Sequence, residues 1–135
     1  EKIGTEEENC TNLKKTIERI KEKPIFLKID IEGYEYEILD EIILNSQFLS
    51  GMVIEFHNTS DHIAEIKNFI NRFELKLVHI HPNNNRVDEQ GNPRAIEMSF
   101  AREPEKLSEA SSLPHPLDQL NVPRKAAVNL RFFNS

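Results

Sequence analysis

The spacing of apolar residues changes several times along the 135-residue chain, and each change predicts an element. Cys10, Leu13, Ile17 and Ile20 recur at three- and four-residue intervals, which predicts a helix over about 6–22. A Thr5/Glu8 capping box is placed to open it, and Pro24 forbids its continuation. Residues 25–31 (IFLKIDI) read as a strand that runs into Gly33. Ile38, Leu39, Ile42 and Ile43 then return to helical spacing opposite Glu37 and Glu41. The unit repeats: GMVIEFH at 51–57 predicts a second strand, and Ser60 is placed to cap a helix whose stripe is Ile63, Ile66, Phe69, Ile70 and Phe73. LKLVHIH at 75–81 and AIEMSFA at 95–101, joined by the turn-rich PNNNRVDEQGNP, predict a closing hairpin.

Strands alternating with helices imply right-handed crossovers and a sheet with helices on its faces. The expectation is an α/β fold: a three-layer Rossmann-like mixed sheet, mostly parallel, in which the C-terminal hairpin makes one edge strand antiparallel. Residues 1–102 form this domain, and 103–135 read as an extended Ser- and Pro-containing tail that re-docks through Val128, Leu130, Phe132 and Phe133.

In such sheets ligands gather beyond the carboxyl ends of the strands, so the last residues of each strand are the candidates. These are Asp30 and Glu32 after the first strand, His57 after the second, and His79 and His81 on the third, followed by Asn83 and Asn84. Alternation puts Lys28, Asp30 and Glu32 on one face, with Glu55 and His57 on the neighbouring strand, so Lys28 is placed to pair with Glu55. Glu35 and Glu37 read more simply as charges favouring the positive end of the following helix, worth about 0.3–1 kcal/mol each. His79 and His81 point the same way and could ligate a metal with a carboxylate, but His-x-His is a weak signal and no metal is assigned. The asparagines suit either a turn or hydrogen bonds to sugar hydroxyls.

Composition narrows the partners. A net charge of −6 argues against nucleic acid, whose phosphates need a basic surface. No apolar run approaches the roughly 20 residues of a membrane span, and the first twenty positions are too polar for a secretory signal, so a soluble, cytoplasmic protein with no membrane partner is expected. The lone Cys10 excludes an internal disulfide framework.

The segment LKIDIEGYEYEIL resembles the K-I-D-v-E-G-x-E stretch of the FkbM-like methyltransferases. MVIEFH at 52–57 resembles the strand that follows it there, HIHPNN at 79–84 a later H-x-N-N stretch, and the closing LDQLNVPRKAAVNLRF the tails of some relatives. The resemblance implies a class I α/β fold and S-adenosylmethionine as methyl donor, with oxygen acceptors on sugars or small metabolites. It puts Asp30 near the sulfonium, as a cofactor-binding and catalytic residue, with Glu32, His57 or His81 to take the acceptor's proton. Imidazole, with an ordinary pKa near ~6.5, is the best base of these types. His79, His81, Asn83 and Asn84 would then bind the acceptor.

The chain also departs from that family. Its four glycines are widely separated, and neither the glycine-rich cofactor turn nor the acidic ribose-binding segment precedes the K-I-D stretch. It therefore reads as the C-terminal half of the fold, inactive alone, with a small-molecule or carbohydrate acceptor and a homo-oligomer left open. Two other classes stay open: a non-catalytic binding module derived from that fold, and a metal-dependent hydrolase using the histidines and carboxylates.

Overall fold

A computed structural model of the protein describes residues 12–20, 22–105, 112–128 and 130–131. Asn12 Oδ1 accepts the backbone N–H of Lys14 at 2.8 Å and of Lys15 at 3.4 Å, so Asn12 caps the helix α1, Leu13–Ile20. The predicted Thr5/Glu8 box and Cys10 lie outside the described residues. The strand β1 (Ile25–Ile29) follows, then a 3-10 turn (Glu35–Ile38) leading into the short helix α2 (Leu39–Leu44), then β2 (Leu49–His57). The helix α3 (Ile63–Arg72) connects to β3 (Lys76–Pro82), and β4 (Ala95–Ala101) returns beside it. Ser60 does not cap α3: its hydroxyl donates to Asp88 Oδ2 at 2.8 Å. Beyond β4, residues 112–128 lead from β5 (Ser112–Leu113) toward its antiparallel partner β6 (Leu130–Arg131).

The sheet order is β1-β2-β4-β3. β1 pairs parallel with β2, while β4 pairs antiparallel with both β2 and β3. The sheet is mixed as expected, but it is not mostly parallel, because two of its three pairings are antiparallel. The hairpin forms, yet β4 inserts between β2 and β3 instead of lying outside them, so the antiparallel strand is interior and β3 is the edge. β1, β2 and β3 nevertheless point the same way, which aligns their carboxyl ends.

Nor are there three layers among the described residues. Both crossovers, through α2 and through α3, step in the same direction along the sheet, and two right-handed connections of the same sense place their helices on the same face. A second helical layer would need the step direction to reverse. On the covered face Leu27, Ile54, Phe56, Met98 and Phe100 join Leu13, Ile17, Ile42, Ile66 and Phe69 in one buried cluster. Phe69 stacks on Phe73 at 4.8 Å and meets Phe100 edge-on at 5.8 Å, an arrangement that aromatic quadrupoles favour. Each such side chain contributes about 1.5–3 kcal/mol by leaving water. Ile63, expected on the stripe, is instead half-exposed.

The opposite face carries Phe26, Lys28, Val53, Glu55, Glu97 and His79. Phe26 stays 64% exposed, lying over Gly51, where a Cβ would approach its ring to 2.8 Å. Lys28 pairs with Glu97 Oε2 at 3.6 Å across β2, not with Glu55. The reason is register: Lys28 stands beside Val53, Glu55 stands opposite Glu97, and Asn83 Nδ2 donates to Glu55 Oε1 at 2.9 Å. Lys28 is well exposed and Glu97 partly so, and such a pair contributes little.

Candidate active site

At the end of β1 the chain reverses through Ile31, Glu32 and Gly33. Glu32 (φ 57°) and Gly33 (φ 103°) both lie in the left-handed region, which glycine adopts freely and glutamate does at a cost of about 1–2 kcal/mol. That strain is held by one side chain. Glu35 curls back so that its Oε2 accepts the Gly33 N–H at 2.9 Å, while its Oε1 accepts the His57 N–H at 2.5 Å. The same Oε1 lies 3.1 Å from His57 Nδ1. Glu35 is fully buried (0% exposed), and a buried carboxylate persists only when its oxygens are satisfied in this way.

The consequence for His57 is chemical. With Nδ1 donating to a carboxylate, the neutral ring keeps its lone pair on Nε2, since the hydrogen bond at one nitrogen sets the state of the other. Nε2 stands 3.7 Å from Asp30 Oδ1 and 3.7 Å from Glu32 Oε2. Asp30, Glu32 and His57 are therefore brought together as a cluster. Two further contacts fix the end of β2: the Tyr36 hydroxyl donates to the His57 carbonyl at 2.5 Å, and Asn58 turns the chain in the left-handed region (φ 49°). Burial, with Glu35, Glu65 and Asp61 nearby, pushes the Tyr36 hydroxyl well above the usual phenol range, so it stays a donor.

A cavity of about 510 Å³ opens above this cluster. Glu32, Glu55 and His57 form its sheet side, and Asn83, Asn85 and Arg94 line it from the β3–β4 loop. That loop is tied down at Thr59, whose hydroxyl donates to the Pro93 carbonyl at 2.6 Å, and at Asp88, which accepts Ser60 and the backbone of Gln90 and Asn92. These donors, led by Ser60, hold the Asp88 carboxyl below its ordinary value.

The other predicted residues divide. Asn83 faces the cavity. His79, His81 and Asn84 are turned instead toward the tail: His79 Nε2 lies 2.9 Å from Asp118 Oδ1, and His81 Nε2 lies 2.9 Å from Asn121 Oδ1. Asn84, 4% exposed, donates to the carbonyls of Val122, Lys125 and Ala126 and accepts the Val122 N–H at 2.9 Å. Val128 is buried, while Phe132 and Phe133 lie outside the described residues.

Glu35 is the residue that sequence reasoning missed, having read it as a helix-end charge. The available signal was its position two residues after Gly33, within reach of that residue's N–H. Among the described residues, two groups have ligand atoms close enough to share a metal ion: Asp30, Glu55 and His57, and separately His79, His81 and Asp118. At the first, a cation on Nε2 would consume the lone pair that a base needs. Among the described residues no helix is long and apolar enough to cross a membrane.

A family model, the methyltransferase FkbM domain, matches residues 1–79. The match includes Asp30, Glu32, Glu35 and His57 and stops at His79, the first residue of HIHPNN, so the rest of that stretch and the tail lie beyond it. No curated protein and no solved structure matches the chain.

Proposed function

The chain belongs to the FkbM methyltransferase family, and from that premise we propose that it carries the acceptor and base side of an S-adenosylmethionine-dependent O-methyltransferase acting on a sugar or another small hydroxylated metabolite. The single observation that carries the reading is the buried Glu35 holding both the backbone N–H and the Nδ1 side of His57, which leaves Nε2 beside the cavity. His57 accepts the proton of an acceptor hydroxyl at Nε2, and Asp30 and Glu32 stabilise the imidazolium that results. The pairing of an oriented imidazole with a buried carboxylate is the logic by which hydrolases activate a hydroxyl, applied here to an oxygen nucleophile.

The donor set fits the cofactor in part. S-adenosylmethionine, when bound, supplies an electrophilic methyl on a positively charged sulfur, and the Asp30 carboxylate at the end of β1 suits that charge. The glycine-rich turn and ribose carboxylate are absent from these 135 residues, which on their own are inactive in this reading. Arg94, Asn83 and Asn85 suit the polar groups of a hydroxyl-rich acceptor and, with the cavity's walls, hold it in place.

The test is release of S-adenosylhomocysteine by the natural gene product offered S-adenosylmethionine and a panel of sugar and phenolic acceptors. Turnover that His57→Gln removes while His79→Gln preserves supports the reading. Undiminished turnover by His57→Gln refutes the base assignment, and failure of the natural product to bind S-adenosylmethionine leaves a binding module.

A further inference from the structure

The second histidine cluster lies outside that site and has a geometry of its own. His79 and His81 leave the same face of β3, beside Ser99 and Glu97 of β4, and the tail brings Asp118 to both. His79 Nε2 is 2.9 Å from Asp118 Oδ1, His81 Nδ1 is 3.5 Å from Asp118 Oδ2, and one ligand atom of each residue lies within 4.8 Å of the others. Two ligands about 2.1 Å from a tetrahedral zinc ion are about 3.4 Å apart, so both distances to the carboxylate are already near ligand spacing.

The state of His81 sharpens the point. Its Nε2 faces Asn121 Oδ1 at 2.9 Å, and an amide oxygen only accepts, so this contact favours the tautomer with hydrogen on Nε2. In the neutral ring Nδ1 then presents a lone pair to the Asp118 carboxylate. Asp118 is itself preorganised: its Oδ2 accepts the His115 N–H at 2.8 Å, and its own N–H donates to the His115 carbonyl at 2.9 Å. Its side chain is 13% exposed and that of His81 14%, while His79, at 35%, leaves a path for entry.

We infer that His79, His81 and Asp118 form a binding site for a divalent transition-metal ion of the zinc type, which fastens the 112–128 segment across the edge of the sheet. Two imidazoles and a carboxylate are a ligand set for zinc, with a remaining position for water. Asn121 is the outer partner that fixes the His81 ring. The ion takes the place of the hydrogen shared between imidazole and carboxylate, so binding releases protons and tightens the tail. The site is independent of the His57 cavity, where neither histidine contributes to the lining.

Calorimetric titration of zinc chloride into the metal-free chain tests this, together with trypsin cleavage after Arg124 and Lys125. The expected result is a single saturable equivalent that slows cleavage at both positions. His81→Gln and Asp118→Asn should each weaken binding by more than the ~10–100-fold typical of losing an outer partner, and Asn121→Ala, which leaves every ligand in place, by about that amount. Absence of saturable uptake overturns the inference, as does uptake that survives both ligand substitutions. Loss of binding in Asp30→Asn with retention in Asp118→Asn also overturns it, by moving the ion to the Asp30, Glu55 and His57 group.

Discussion

Among the described residues, the clusters at His57 and at His79 and His81 are made from the same kinds of side chain, and they differ in where the carboxylate comes from. At His57 it comes from Glu35, buried in the core 22 residues earlier in the chain, and bonded to two backbone N–H groups as well as to the ring. At His79 and His81 it comes from Asp118, some 40 residues along the chain, delivered by a segment that the sheet does not otherwise need. The first arrangement anchors one ring nitrogen in the interior and leaves the other beside a cavity. The second ties up both rings against a tail. Under the roles proposed for them, similar chemistry gives a base in one place and a fastening in the other, and the deciding factor is which ring nitrogen remains open.

Substitution of the rings breaks the comparison most sharply. His57→Gln should lower methyl transfer by the native enzyme about 10²- to 10⁴-fold, the usual worth of a positioned base, whereas His79→Gln leaves turnover nearly unchanged. Steady-state kinetics of the two variants side by side checks this. Next in size is the carboxylate: Glu35→Ala leaves the Gly33 and His57 N–H groups without their acceptor and should destabilise the fold by about 3 kcal/mol in urea denaturation. Tyr36→Phe removes one hydrogen bond to the His57 carbonyl and should cost about 1 kcal/mol by the same measurement. It should also flatten the alkaline limb. The Tyr36 pKa is raised by folding, so its stabilisation is complete below the ordinary phenol value of 10 and is lost as pH rises beyond it.

The smallest effect concerns the tail. Burial alone would raise the Asp118 pKa, but the His115 N–H and the two histidines outweigh it and hold the carboxyl below its ordinary 3.8. A depressed carboxylate stabilises above its unfolded pKa and loses that contribution as pH falls through the folded one. Tail amides followed by hydrogen exchange should therefore lose protection below about pH 4 in the native chain, with a shallower acid dependence in Asp118→Asn.

Much of this fold is legible in sequence because its signals are local. The strand cores at 25–29, 51–57, 76–81 and 95–101 follow from apolar runs between turn residues, and Ile66, Phe69 and Phe73 announce the buried side of α3. The position of β4 between β2 and β3 is a long-range choice that no local pattern encodes. Missing it turned an interior antiparallel strand into an edge one and paired Lys28 with Glu55 in place of Glu97. The grouping of Asp30, Glu32 and His57 follows from placing ligands at aligned strand ends. The role of Glu35 does not, because it depends on a left-handed pair at Glu32 and Gly33 that folds an acidic side chain inward; a helix-end charge is the ordinary reading of such a residue. Asp118 and Asn121 were invisible for a similar reason, since nothing in a Ser- and Pro-rich tail indicates which strand it returns to.

Whether a base faces the cavity is decided by the tautomer of His57, read from long-range nitrogen–proton correlations on the histidine-labelled chain at a pH where the ring is neutral. The expected result is hydrogen on Nδ1, bonded to Glu35, and a lone pair on Nε2. Hydrogen found on Nε2 instead would leave no base facing the cavity and would overturn the role proposed for His57.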